Sequence, residues 1–171
     1  MTVSYLFKMI IKTCILILFL AVAGCKKETP PSQNGANTIS AKVDGNKWAK
    51  KSCISCVGGG SGISVTYDNT FFGVTGQNAD QNISISLVIK SLSSTGTYEL
   101  SSQESNYARV FNNNNKILYY TNTLNIGKVT VTKLDLVNKI ISGSFEFVAA
   151  DENNPGKKVN ITNGYFDVTF Q

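Results

Sequence analysis

Gly127–Phe147 reads GKVTVTKLDLVNKIISGSFEF. Val129 and Val131 alternate with Thr130 and Thr132, and then Leu134 and Leu136 fall on the opposite parity. Period two marks a half-buried strand. A change of parity within the run marks one extra residue, so a β-bulge is expected near Lys133. Asn138-Lys139 has turn chemistry. Beyond it Ile141, Gly143, Phe145 and Phe147 alternate with Ser142, Ser144 and Glu146. The stretch therefore reads as two antiparallel strands, each with one apolar face.

The same pattern extends outward in both directions. Toward the carboxy terminus, Val159 and Ile161 lead through Asn163-Gly164 into Phe166, Val168 and Phe170. Toward the amino terminus, Ile83, Ile85, Leu87 and Ile89 are separated by serines and a valine, and Ile63, Val65 and Tyr67 by Ser64 and Thr66. Ile39, Ala41 and Val43 precede Asp44-Gly45, a dipeptide that favours a tight hairpin. Lys47-Trp48 starts the return strand. Turn signals recur every 8–12 residues or so, the spacing of an all-β sandwich or barrel. The expected fold is thus all-β: an antiparallel sandwich or a small, partly closed barrel of roughly ten short strands, spanning 38–171. A barrel with an interior ligand cavity is the rival to the sandwich.

The first residues have a different character. Lys8 and Lys12 precede an apolar run (CILILFLAVA, 14–23), and Val22-Ala23-Gly24-Cys25 closes it. A positive start, a short apolar run and a small-residue exit form a secretory signal, too short to span a bilayer comfortably. Val22–Cys25 resembles the lipobox of bacterial lipoproteins. That resemblance implies a signal peptide over 1–24, removal of it, and lipidation of Cys25. Two or more acyl chains anchor stably where one is marginal. Residues 26–37 (KKETPPSQNGAN) are too polar to form a core and read as a flexible tether after the lipidated cysteine. Lys26 resembles the residue found in lipoproteins sent to the outer membrane. The expected address is the cell envelope, with the periplasmic side or the cell surface both open.

Composition narrows the chemistry. The formal charge is +5 and falls to +3 without Lys8 and Lys12, with no clustered basic face of the kind nucleic acid requires. There is no histidine, so the usual general base and the commonest metal ligand are both missing. Cys53 and Cys56 would be the only thiols left after processing. A small structural disulfide suits an oxidising compartment; a redox-active pair and two free thiols stay open. Gly58-Gly59-Gly60 lacks the Lys-Ser/Thr of a phosphate-binding loop. No cofactor and no metal is expected.

Three acids, Asp135, Glu146 and Asp167, are the candidates for paired-carboxylate hydrolysis. Glu146 and Asp167 alternate with core positions and are read as solvated outer-face acids. Asp151-Glu152-Asn153-Asn154 offers oxygen ligands without the spacing of a calcium loop. Tyr119, Tyr120 and Trp48 are the candidate ligand-contact aromatics, and core packing competes for all three.

Gly127–Phe147, Ile161–Asp167 and the opening from Ile39 to Trp48 together resemble a family of small Bacteroidota-type lipoproteins of unknown function. The family has a lipobox, a short tether and one β-rich domain; Cys53 and Cys56 lie outside its pattern. The resemblance carries no catalytic residue. The expected role is a membrane-anchored, non-catalytic binding or accessory module for a glycan or an envelope protein. A purely structural assembly role and a carboxylate hydrolase are the alternatives.

Overall fold

The computed structural model describes residues 32–52 and 60–171. Cys25, Cys53, Cys56 and the signal segment lie outside them. The described chain is all-β, with eleven antiparallel strands in one curled half-barrel sheet. They are β1 (Thr38–Val43), β2 (Asn46–Ala49), β3 (Ile63–Asp68), β4 (Phe71–Asn78), β5 (Ile83–Lys90), β6 (Gly96–Leu100), β7 (Tyr107–Asn112), β8 (Ile117–Tyr120), β9 (Gly127–Asp135), β10 (Ile140–Asp151) and β11 (Lys158–Thr169). One strand more is present than the roughly ten expected, and β10 and β11 are long, at 12 residues each.

The sheet runs β2-β1-β11-β10-β8-β7-β5-β4-β3, and β9 with β6 forms a second branch from β10. β10 is the shared strand. Its first part, from Ile140 to Phe147, pairs with β9, and its last two residues pair with Tyr120 and Tyr119 of β8. Between them Val148 and Ala149 face neither strand, so the sheet forks there. All of β10 up to Ala150 keeps β11 on its other side.

The hairpins follow turn chemistry. Asp44 and Gly45 both have positive φ (48° and 82°), as a two-residue hairpin of matching twist requires. The bulge expected near Lys133 is present. Lys133 pairs with Ser142 and Val131 with Gly143, which leaves Thr132 as the extra residue. Leu134 packs on the core after it, but Leu136 lies past the strand end and is exposed. Asn163-Gly164 is a second bulge inside a continuous strand. Phe145 pairs with Gly164 and Phe147 with Ile161, and Asn163 takes φ 51°. That extra residue moves the apolar parity from Val159 and Ile161 to Phe166 and Val168.

The inner faces close on one another. Phe72 of β4 and Phe166 of β11 belong to strands that are not neighbours, yet their rings lie 5.7 Å apart across the interior. Phe145 adds a contact to Phe166 at 6.4 Å. Ile39, Ile85, Leu87, Ile89, Ile141 and Ile161 fill the remaining space and are fully buried. The interior is a packed core, as small barrels require. Gly76 lets the walls approach, since a Cβ there would sit 2.9 Å from the Trp48 ring, and Gly143 makes room for the ring of its cross-strand partner Phe166, which a Cβ would meet at 2.8 Å.

The curl is laced at one rim. The backbone N–H of Lys51 donates to the Gln77 carbonyl (2.8 Å), Asn78 Nδ2 to the Ala49 carbonyl (2.7 Å), and the Trp48 indole N–H to the Ile83 carbonyl (3.3 Å). Lys51 and Asp80 add an exposed ion pair beside it.

The tether expected over 26–37 does not stay clear of the body. From Gln33 onward it is seated on the outer face of β9, β10 and β11 by hydrogen bonds to Thr132, Asp167 and Thr169.

Because Phe166 bridges opposite walls, truncating it opens a cavity that no single strand shift can close. Phe166→Ala is expected to cost about 3–5 kcal/mol, read as a lower urea midpoint with an unchanged slope.

Candidate functional site

The fork shapes the outer surface. Where β8 and β9 part over Val148, a groove of about 610 Å³ opens across β6, β9, β10 and β11. Three features of local sequence produce it. Gly127 begins β9 tight against Phe147, because any side chain there would strike the Phe147 backbone. The Asn163 bulge bends β11 beneath the groove. The loop 121–126 carries Ile126, more than half exposed, onto its rim.

The floor is a charged row set by register. Glu99 faces Lys128, and Lys128 faces Glu146. Lys128 Nζ and Glu146 Oε1 are 2.9 Å apart, with both side chains more than half exposed. Such a surface pair is worth about 0–1 kcal/mol, so both charges are available to a ligand at little cost. Thr97, Asn160 and Thr162 supply hydroxyl and amide groups, and Val148 supplies an apolar patch. Asp44 steadies this part of β11 from outside: its carboxylate accepts the Asn160 N–H at 2.8 Å. A smaller depression of about 310 Å³ shares Lys128 and Glu146 and continues to Tyr165.

The predicted residues separate. Glu146 lies in the groove, as an exposed outer-face acid. Tyr119 and Tyr120 point to opposite faces, as neighbours in a strand must. Tyr119 packs on the core. Tyr120 pairs with Ala150, two residues along β10 from the groove residue Val148. Its ring lies 6.2 Å from that of Tyr107, and Arg109 is its cross-strand partner. Arg109 is the sole arginine of the chain and is exposed in mid-strand. Sequence reading passed over it, although a lone arginine on the polar parity of an aromatic-flanked strand was the available signal. Trp48 is 2% exposed and its indole is spent on the core and rim, so it has no free face for a ligand.

The other two acids are committed within the fold. Asp135 accepts the side-chain amide of Asn138 (2.8 Å) and its backbone N–H (2.9 Å), which hold its carboxyl below the usual range. Asp167 lies on the outer parity, as read, but it is not solvated. It is fully buried beneath residues 34–36. The Ser142 hydroxyl donates to it at 2.7 Å, Gly35 N–H at 2.9 Å, Ala36 N–H at 3.1 Å and Asn34 N–H at 3.2 Å. Burial pushes its carboxyl up; Ser142 and the amides of Ala36, Gly35 and Asn34 outweigh burial and leave it below the usual aspartate range. In the Asp151–Asn154 turn, Asp151 is buried and accepts the Asn153 N–H at 2.9 Å. Among the described residues no three acidic, histidine or cysteine side chains gather as a metal site.

A curled antiparallel sheet packed solid within, with a mixed polar and apolar groove on its outer face, defines the class: an all-β half-barrel domain with a filled interior. The chain belongs to the family described as Domain of unknown function (DUF6252), whose profile matches residues 36–168. No curated protein and no solved structure matches the chain.

Because the folded Asp167 carboxyl ionises below its ordinary value of 3.8, the ionised clamp is fully in force above that value and is lost as pH falls through the lower, folded one. Asp167→Asn is expected to lose about 2–3 kcal/mol at neutral pH. The gap between variant and wild type should narrow on acidification below pH 4 or so, measured by urea unfolding at a series of pH values. A gap independent of pH would contradict it.

Proposed function

We propose that the protein is a lipid-anchored envelope protein whose β-domain is a non-catalytic binding module, and that its ligand is a glycan chain lying in the fork groove. The anchor is Cys25, through which the membrane is the first partner. The observation that carries the binding reading is the groove itself. It joins a Lys–Glu pair, hydroxyl and amide side chains and an apolar strip, with Tyr120 and Tyr107 just beyond one end. Hydroxyl-rich chains need this mixture: hydrogen-bonding groups for their edges and aromatic or apolar surface for their C–H faces.

Three features support a non-catalytic reading. The chain has no histidine. Asp135 and Asp167 are engaged by their own partners. Glu146 is paired with a lysine rather than with a second acid. The anchor is supported by Val22–Cys25 and by the positive, then apolar, stretch before it.

Two measurements test this. The lipid-bearing chain in detergent should bind at least one member of a panel of neutral and acidic polysaccharides. Tyr120→Ala or Lys128→Ala should weaken that binding by about tenfold without lowering the unfolding temperature. Binding that survives both substitutions, or no binding across the panel, removes the groove reading. Separately, Cys25→Ala should move the protein from the membrane fraction to the soluble one. Equal membrane retention of this variant removes the anchor.

A further inference from the structure

The hairpin between β9 and β10 ends in two apolar residues that the fold does not use. Val137 is 90% exposed and Leu136 is 54% exposed. The turn is made by its other members: Asp135 receives Asn138, and Lys139 takes the positive φ of 56°. A β-branched valine contributes nothing to a turn of this kind. The exposed pair Leu124 and Ile126 differs, because Ile126 lines the groove already described.

The position of this tip is informative. Gln33 Nε2 donates to Thr132 Oγ1 (2.8 Å), and Lys133 Nζ donates to the Gln33 carbonyl (2.9 Å). The described chain therefore begins at the base of the β9–β10 hairpin. Six residues, or seven Cα–Cα steps, separate Cys25 from Ser32. Whatever their path, they reach at most about 25 Å. The surroundings of the tip are mixed, with Asp68, Asn69 and Thr70 beside two aromatic rings. Leu136 shares a depression of about 620 Å³ with Phe170 and Tyr67, whose rings lie 4.7 Å apart. Nearby charge is balanced, with Lys133 and Lys139 against Asp135 and Asp68. Lys139 is in no ion pair among the described residues. Asp135 is held by Asn138 and lies 3.6 Å from Lys133, and Asp68 is held by Thr70.

We propose that Leu136 and Val137 enter the interfacial layer of the membrane to which Cys25 tethers the chain, making a second lipid contact that orients the domain. The proposal rests on the lipid-anchor reading above and not on the groove. Two such side chains partition weakly alone, but a tether this short keeps them at high local concentration beside the surface.

The test uses the full, acylated protein reconstituted in phosphatidylethanolamine–phosphatidylglycerol vesicles with brominated acyl chains, which quench tryptophan at the depth of the upper chains. Trp48 is buried in the core and supplies a constant baseline. Val137→Trp places a reporter at the tip, and Asn154→Trp places one in the turn at the far end of β10. Bromolipid should reduce the added emission of Val137→Trp by about twofold or more, as insertion of 5–10 Å implies, and leave that of Asn154→Trp unchanged. If both variants float with the vesicles and Val137→Trp is quenched no more than Asn154→Trp, the proposal is overturned and the anchor stands. If the protein bears no acyl chains and does not float, the anchor reading fails and this proposal fails with it.

Discussion

The Asp167 carboxylate receives the Ser142 hydroxyl and three consecutive backbone amides, from Asn34, Gly35 and Ala36, and is closed off from water. An ionised group in that position is stable only while its donors stay in place, since an uncompensated buried charge costs several kcal/mol. The constraint is mutual. The carboxylate keeps residues 34–36 folded over β10 and β11, and those residues keep water from the carboxylate. Asn37 continues the attachment, its side-chain oxygen accepting both the backbone N–H and the hydroxyl of Thr169. A polar stretch with no core of its own thus becomes part of the domain from Gln33 onward. The chain between Cys25 and the domain is shorter than composition alone suggests.

The same two strands organise the rest. β10 and β11 run side by side over nearly their whole length, and each is long enough to serve different neighbours at its two ends. Their inner faces carry Phe145 and Phe166 into the core, where Phe166 meets Phe72 from the opposite wall. Their outer faces carry Ser142 and Asp167 at one end and Glu146, Asn160 and Thr162 at the other. The clamp and the groove are therefore built on one ladder. The Asn163 bulge sets the difference between its ends, because it adds a residue, bends β11 and exchanges its faces beyond it, as the Thr132 bulge does in the neighbouring β9. The interior is filled, and the fork at Val148 leaves a concavity on the exterior.

Alternation made much of this legible before any coordinates. The strands of the carboxy-terminal third, the bulge near Lys133 and the Asp44-Gly45 hairpin follow from residue order, since period and turn chemistry are local properties. Asn163-Gly164 was legible only in part: the parity change around it was visible, but a turn and a bulge share the same residues. Asp167 shows the limit more clearly. Parity assigns a side chain to a face, and it does not say what covers that face; residues 34–36 lie 131–133 positions away in the chain. Trp48 was ambiguous for the same reason, because whether an aromatic beside a turn is buried depends on Gly76 and Ile39 meeting it from other strands. Glu146 and Tyr120 were recognised singly, but their relation through β10 depends on register between strands distant in sequence.

Amide hydrogen exchange at Asn34, Gly35 and Ala36 tests the clamp most directly. These three donors sit in a polar stretch with no core of its own, where exposed amides exchange at the rate of a free peptide. If Asp167 holds them, they exchange only as slowly as the paired amides of β11. Exchange at the free-peptide rate while β11 remains protected would show that the domain begins later, and the account of Asp167 as a clamp on residues 34–36 would be wrong.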